Sequence, residues 1–202
     1  MQIAKKFIDF ENNRKVAAEK STTKVTEASF EMRYDLENKN FVPINSSADK
    51  SVIIKGRIDR IDQNNESEII VYDYKSNTAE LKNHPDWLKV GEFQLLLYLI
   101  ACEIYLYPEK NVIASVYYDY RKFETHKGLI TEPYQNSFLE PGRKRKSLSS
   151  LDNKTELISE FSKTLDLIFT KLENFDFSAE PIDQKHCKSC NWSKLCRAPH
   201  LM

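Results

Sequence analysis

Two aspartates and a lysine lie within short apolar segments, where charged side chains are costly. Asp59 belongs to the run Gly-Arg-Ile-Asp-Arg-Ile-Asp that starts at Gly56, and Asp73 and Lys75 belong to Ile-Ile-Val-Tyr-Asp-Tyr-Lys. Because residues i and i+2 of a strand point to the same face, Asp73 and Lys75 project together. A carboxylate or an ammonium on a mostly buried strand is expensive unless a partner or a metal binds it. The pattern therefore predicts a functional site.

The two segments predict a hairpin that brings Asp59 and Asp73 onto adjacent strands. Two converging carboxylates form a hard, oxygen-rich site of the kind that binds Mg²⁺ or Mn²⁺. A nearby lysine such as Lys75 can position an attacking water and neutralise charge that develops on a phosphate. Together, these groups suit phosphodiester hydrolysis.

A simpler alternative assigns these charges to the protein surface. Asp59 would then pair with Arg60, and Asp62 would pair with Arg57. Lys75 would be the solvated end of a strand. For an isolated Asp-x-Lys sequence this alternative is the more common case, so the downstream residues matter.

A polar pair follows on the next predicted helix, in the run Glu-Phe-Gln-Leu-Leu-Leu-Tyr. Gln94 and Tyr98 are four residues apart, so they share one face of the helix. On a helix otherwise rich in leucine and isoleucine, this pair indicates either a contact beside the active site or a satisfied polar pair at the edge of the core.

The elements that must position these residues follow from periodicity and from turn signals. We predict helices over 2–20, 87–107 and 152–174, and strands over 22–36, 52–61, 68–75 and 112–122. The segments 38–50, 77–87 and 125–150 are predicted to be irregular. Pro108 is predicted to stop the second helix.

Composition limits the class of protein. The chain has 202 residues, zero formal net charge and 41% hydrophobic residues. This balance is typical of one soluble globular domain, and any nucleic-acid binding must come from local patches. No stretch reaches 18 consecutive apolar residues and the first residues lack a secretory signal, so we expect a cytoplasmic protein without a membrane span.

Three of the four cysteines, Cys187, Cys190 and Cys196, lie in the tail formed by residues 177–202. This clustering favours a metal or cluster site in a reducing compartment over a disulfide framework. Cys102 lies on the apolar helix and is interpreted as a core residue.

Two further patterns have alternative interpretations. The basic run of Arg143, Lys144, Arg145 and Lys146 either binds the phosphate backbone of DNA or is a solvated loop. The tyrosines at 117, 118 and 120 could stack on bases if exposed, but aromatic residues on alternating strand faces are more often core.

Taken in order, Gly-Arg-Ile-Asp-Arg-Ile-Asp, Asp-Tyr-Lys, Gln-Leu-x-x-Tyr and the terminal cysteine trio are similar to the RecB-like branch of the PD-(D/E)XK nucleases, over about residues 25–197. The resemblance implies an α/β, restriction-endonuclease-like fold with a mixed central sheet flanked by helices and a C-terminal cysteine-bearing tail. It also implies that Asp59, Asp73 and the Tyr74 carbonyl bind Mg²⁺ or Mn²⁺. Lys75 would be the catalytic lysine, with Gln94 and Tyr98 lining the site.

One element of the RecB-like pattern is missing. A His or Glu usually precedes the Gly-x-x-Asp motif as an extra residue of the metal site, whereas all four histidines here lie downstream. Glu11 and Glu19 on the first helix, or Glu27 and Glu31 on the next strand, could replace it.

The cysteine spacing resembles the C-terminal part of the iron–sulfur staple of AddB-type nucleases and of CRISPR adaptation nucleases. That resemblance implies a structural [4Fe–4S] cluster whose fourth cysteine is not in this chain. The alternatives are a zinc site completed by His186 or His200, or cysteines that bind nothing.

The function that the resemblance implies is a metal-dependent DNA exonuclease domain of a helicase–nuclease in recombinational DNA repair. Residues 1–202 would form one nuclease domain, the C-terminal part of a larger protein, with the helicase domain or subunit elsewhere because this chain has no phosphate-binding loop. The alternatives are a non-catalytic DNA-binding or scaffold domain with the same fold, and a CRISPR adaptation nuclease.

Overall fold

A computed structural model of the chain describes residues 2–13, 21–79, 81–137, 148–180, 185–188, 190–193 and 196. The chain forms two compact units, Met1–Ser162 and Lys163–Met202. The elements in chain order are α1 (Gln2–Asn13), β1 (Thr22–Asp35), β2 (Asn40–Pro43), β3 (Ser51–Gln63), β4 (Glu68–Lys75), α2 (His84–Val90), α3 (Gln94–Ala101), a π-helical turn (Cys102–Leu106), β5 (Asn111–Asp119), β6 (Glu124–Ile130), a 3₁₀ turn (Glu132–Ser137), β7 (Leu148–Ser150), α4 (Lys154–Glu173) and α5 (Lys185–Lys188).

In the described part of the chain, seven strands form one sheet in the order β2-β1-β3-β4-β5-β6-β7. The pairs β4–β5 and β6–β7 are parallel, and the other neighbouring pairs are antiparallel. The centre of the sheet is β4 and β5, which are buried almost throughout, as expected for parallel strands covered on both faces. The predicted mixed central sheet is therefore confirmed.

Helices α1 and α3 cover opposite faces of this sheet. Phe7 of α1 packs edge-on against Tyr74 and Tyr118, with ring centroids 6.2 and 6.0 Å apart. On the other face, the Ser115 hydroxyl donates a hydrogen bond to the Leu95 carbonyl of α3, at 2.9 Å. Because successive residues of a strand alternate between faces, Ser115 and Tyr118 of β5 lie on opposite sides. The predicted flanking by helices is confirmed.

The predicted helix over 87–107 is wrong in its boundaries. It is replaced by α2, α3 and the π-helical turn, because α2 ends at Gly91. Gly91 has a φ of +75°, and its N–H donates to the Trp87 carbonyl, which caps α2. A left-handed residue at this position is the usual end of a helix and favours glycine.

Two of the three segments predicted to be irregular contain short strands. Residues 38–50 include β2, because Phe41 is buried and packs against Tyr34 and Phe161, with ring centroids 5.0 and 5.8 Å apart. Residues 125–150 include most of β6 and all of β7, and residues 77–87 include the start of α2. Such strands carry too few apolar residues for periodicity to reveal them. The first helix is described only to Asn13, so the rest of its predicted span lies outside the described residues.

A buried cluster of charged residues links α1 to β3 and β4 through hydrogen bonds. The Arg60 guanidinium donates two hydrogen bonds to the Asp62 carboxylate, at 2.6 and 2.7 Å, and a third to Glu11 of α1, at 2.7 Å. It also donates to the Tyr74 hydroxyl at 3.3 Å, and the Tyr118 hydroxyl donates to Glu11 at 3.2 Å. Arg60 is 6% exposed and Asp62 is fully buried. The cluster is therefore a desolvated network in which each charge depends on the others.

Replacement of Arg60 by methionine tests this dependence. Arg60→Met leaves the Asp62 and Glu11 carboxylates without their buried cation, and we expect the free energy of unfolding to fall by about 3–5 kcal/mol. The matched control is Arg57→Met, because Arg57 is exposed and pairs with Glu27 on the surface, where a pair contributes less than about 1 kcal/mol. Urea unfolding measures both. Equal losses in the two variants would contradict the assigned role of the cluster.

Candidate active site

The paired part of β3 and β4 ends beside Asp59 and Asp73. At this point the Tyr74 N–H donates to the Asp59 carboxylate instead, at 2.8 Å. The Lys75 carbonyl accepts from the Tyr120 N–H next to β5, at 3.1 Å. Backbone groups of successive strand residues point to alternate sides, so the N–H and the C=O of Tyr74 both face β3. The Tyr74 carbonyl is thus on the same side as the Asp59 carboxylate.

The Asp73 carboxylate is almost completely buried. Its side chain is 1% exposed, and the Lys75 ammonium lies 2.6 Å from Oδ2. At this distance the two groups form a close ion pair, although none of the described residues donates a well-aligned hydrogen bond to Oδ2. Burial raises the pKa of Asp73, the Lys75 cation opposes this rise, and the Asp59 charge adds to it. Asp59 and Asp73 are therefore close enough to interact electrostatically.

Lys75 is held by the polar pair on α3. Its ammonium donates to Gln94 Oε1 at 2.9 Å, and Gln94 Nε2 donates to the Tyr98 hydroxyl at 2.7 Å. Burial raises the pKa of Tyr98, and the negative charges of Asp73 and Asp59 raise it further, so this hydroxyl stays neutral. The structure thus brings together the predicted residues in one connected chain of contacts.

An open cleft of about 450 Å³ reaches this group of residues. Two cations, Lys55 and Lys75, line it together with the polar side chains of Gln94 and Tyr98. The rest of its wall is mainly apolar and glycine, with one acid: Phe30, Gly56, Leu81, Gly91, Glu92, Phe93, Leu97 and Tyr117. Lys75 is 28% exposed, so a phosphate that enters through this opening could reach its ammonium.

Gly56 is required by the packing beside Tyr98. A Cβ atom at Gly56 would lie 2.5 Å from the Phe30 ring. Phe30 in turn packs edge-on against Tyr98, with ring centroids 6.0 Å apart. Glycine inside a strand often marks such a close approach, so the sequence signalled this contact without identifying Phe30.

The donor atoms fit a small divalent cation. The carboxylates of Asp59 and Asp73 and the Tyr74 carbonyl supply the hard oxygens that Mg²⁺ and Mn²⁺ prefer. The described residues contain no group of three or more Asp, Glu, His or Cys side chains arranged to hold a metal. Mg²⁺ usually keeps several waters and needs only one or two carboxylates together with substrate phosphate. The buried Asp73 Oδ2, which Lys75 contacts without a well-aligned hydrogen bond, is an oxygen that such a cation would also satisfy.

The upstream acids that could have replaced the missing residue bind other cations. Glu11 lies in the ion cluster with Arg60. Glu27 lies 2.6 Å from the Arg57 guanidinium, and Glu31 lies 3.1 Å from the Lys55 ammonium. Glu19 lies outside the described residues.

The alternative surface pairings are wrong, since Asp62 binds Arg60 and Arg57 binds Glu27. Lys75 is 28% exposed and has two partners, so it is not a free strand end. The basic run, Arg143 to Lys146, lies outside the described residues.

The cysteine tail belongs to the second unit. The Cys190 N–H donates to the Cys187 carbonyl at 3.3 Å, and the Trp192 N–H donates to Cys190 Sγ at 3.4 Å. The Cys196 N–H donates to the Trp192 carbonyl at 2.8 Å. Hydrogen bonds thus connect Cys187 with Cys190, and Trp192 with Cys190 and Cys196. The predicted role of the three cysteines in binding a cluster stays a prediction. Cys102 is fully buried, in agreement with its interpretation as a core residue.

Replacement of Asp73 by asparagine tests the cost of this buried charge. Because the pKa of Asp73 is raised in the folded protein, its protonated carboxyl stabilises the fold fully at pH values below its ordinary pKa of 3.8. This stabilisation is lost as pH rises through the folded-state pKa. Without metal, we expect Asp73→Asn to unfold about 2–4 °C higher than the wild type at pH 7, with a smaller difference near pH 4.

Added Mn²⁺ should reverse this order. Binding stabilises the folded wild type by about 2.7 kcal/mol at a concentration 100-fold above Kd, and the variant should gain much less. Differential scanning calorimetry measures both effects, with Asp86→Asn as the exposed control. An equal response of Asp73→Asn and wild type to Mn²⁺ would contradict the metal site.

Comparison with known protein families identifies the superfamily. The family model of the PD-(D/E)XK nuclease superfamily matches residues 2–197. This range includes Asp59, Asp73 and Lys75 and the two polar residues of α3, Gln94 and Tyr98. No curated protein matches the chain. Members of this superfamily are generally nucleases that depend on divalent metals such as Mg²⁺. The chain belongs to the PD-(D/E)XK nuclease superfamily.

Proposed function

We propose that this protein is a deoxyribonuclease that requires Mg²⁺ or Mn²⁺ and hydrolyses phosphodiester bonds at Asp59, Asp73 and Lys75. The observation that carries the proposal is the Lys75 ammonium, held between the buried Asp73 carboxylate and Gln94 at the wall of an open cleft. A surface ion pair needs neither the burial nor the second partner. Membership of a nuclease superfamily supports the same chemistry.

The roles of the residues follow from their atoms. Asp59, Asp73 and the Tyr74 carbonyl would hold the cation, which when bound supplies a Lewis acid that polarises the phosphate. Lys75 donates hydrogen bonds to a phosphate oxygen and neutralises the negative charge that grows on it in the transition state. Gln94 and Tyr98 orient the ammonium in advance, so the entropy cost of ordering the Lys75 side chain in the transition state is smaller.

We extend the proposal to an exonuclease in the cytoplasm that acts on DNA ends in recombinational repair, beside a helicase domain or subunit. Its support is the order of motifs shared with RecB-like nucleases. Linear and circular DNA of the same sequence distinguish the two modes, because an exonuclease requires an end. Cleavage of closed circles would contradict this part only.

A non-catalytic DNA-binding domain is the second candidate. One observation favours it: the described upstream acids Glu11, Glu27 and Glu31 are engaged with other cations. Such a domain would bind DNA without Mn²⁺ and would show no Mn²⁺ binding that depends on Asp59. Calorimetric titration of Mn²⁺ into wild type and Asp59→Asn separates the two candidates.

Nuclease activity is tested with two matched pairs of variants. We expect Asp73→Ala and Lys75→Ala to lower kcat on linear DNA by at least about 100-fold, which is usual for the loss of a group that stabilises a transition state. Asp86 and Lys89 form an exposed ion pair at 3.1 Å on α2, so Asp86→Ala and Lys89→Ala are the charge-matched controls. Their activity should stay within twofold of wild type. The catalytic assignment fails if all four variants cleave like wild type.

We also propose that Cys187, Cys190 and Cys196 supply three ligands of an iron–sulfur cluster, with the fourth from outside this chain. Anaerobic reconstitution with Fe²⁺, sulfide and an excess of a small thiol as fourth ligand should give visible charge-transfer absorption. Cys190→Ser should lose this absorption, and the buried-core control Cys102→Ala should keep it. Equal spectra for both variants would contradict the proposed ligands.

A further inference from the structure

The face of an aromatic ring lies beside the Lys75 ammonium. Tyr117 of β5 is the register partner of Asp73 in the parallel pair β4–β5, so its side chain projects on the same face as Asp73 and Lys75. Lys75 Nζ lies 5.5 Å from the centroid of the Tyr117 ring. This distance is within the range of an attractive cation–π contact. Tyr117 also lines the cleft with Lys75 and Gln94.

The Tyr117 ring is held in place by its surroundings. It is 2% exposed, and Trp87 packs edge-on against it, with ring centroids 6.0 Å apart and planes at 75°. Trp87 is itself fully buried, and its indole N–H donates to the Lys82 carbonyl at 2.9 Å. Burial raises the pKa of Tyr117, so the ring stays neutral and keeps the electron-rich face that attracts a cation.

We propose that Tyr117 is a positioning residue that holds the Lys75 ammonium through a cation–π contact at the wall of the cleft. The ammonium then has three fixed neighbours: the Asp73 carboxylate, the Gln94 amide oxygen and the Tyr117 ring. A ring face attracts the cation as a whole and does not require one N–H to be aimed at a lone pair. Donor hydrogens of Lys75 therefore remain available for a phosphate oxygen. This role rests on the proposed function, in which Lys75 acts on the phosphate.

The sharpest test changes the ring electrostatics and leaves the shape nearly unchanged. Phenylalanine at position 117 keeps the ring, and we expect Tyr117→Phe to retain kcat within about threefold. Phenylalanines with increasing numbers of ring fluorines at the same position withdraw charge from the ring face. We expect kcat to fall stepwise, to about tenfold below Tyr117→Phe, with KM for DNA and the Mn²⁺ midpoint within twofold.

The matched control is the same fluorinated series at Tyr118. This neighbour on β5 is equally buried and faces α1 on the opposite side of the sheet, where its hydroxyl donates to Glu11. The series at 118 should leave kcat unchanged relative to Tyr118→Phe. Equal trends at 117 and 118, or no trend at 117, would overturn the proposal.

A second measurement does not depend on catalysis. Acylation of lysines by an amine-selective reagent, followed by peptide mapping, gives the rate at Lys75 relative to the exposed Lys55. If the ring covers the ammonium, Tyr117→Leu should raise this ratio about threefold or more, and Tyr117→Phe should leave it near that of wild type. No rise in Tyr117→Leu would overturn the contact. If wild type cleaves no DNA but the ratio behaves as expected, the proposed function fails and the positioning contact stands.

Discussion

The burial of Asp73 in the middle of the sheet is the constraint on which the rest of the site depends. An ionised carboxylate with 1% exposure loses its hydration and must find compensation from fixed charges. The nearest compensation is the Lys75 ammonium, two residues later on the same strand face. The ammonium approaches Oδ2 without a well-aligned hydrogen bond, so this buried oxygen is where a further cation or donor would find an acceptor.

The charged residues on the two faces of β3 and β4 have different surroundings. On the face covered by α1, Arg60, Asp62 and Glu11 form a closed network whose main charged groups have partners. Such a network stabilises one arrangement of α1 against the strands, and its charged groups are already bonded to each other rather than available to a ligand. On the face covered by α3, Lys75 lines a cleft and pairs with the buried Asp73 behind it. Adjacent residues thus divide between a structural role and the proposed chemical role because side chains alternate along a strand.

The local pattern was sufficient to predict β1, β3, β4 and α4 within two residues and β5 within three, because each combines a strong apolar period with clear turn signals. It also paired Asp73 with Lys75, and Gln94 with Tyr98, since both spacings are short and depend only on local geometry. The break of the long helix was missed, although Gly91 was present as a signal. A glycine within an apolar helical pattern can either continue the helix or end it. The packing of α2 and α3 against the sheet determines that Gly91 adopts the left-handed conformation and ends α2.

The sequence by itself determined which charged groups share a strand face and which elements carry them, because these follow from the periods of strands and helices. The tertiary structure decided the partners: Arg60 binds Asp62 and Glu11 rather than Asp59, and the Tyr117 ring lies beside Lys75. Arg60 and Asp62 share one face of β3. The contacts with Glu11 and with the Tyr117 ring join residues distant in the chain, and their geometry depends on register and on which helix covers which face. A pattern along one segment contains no information on that register, so only the folded sheet could select them.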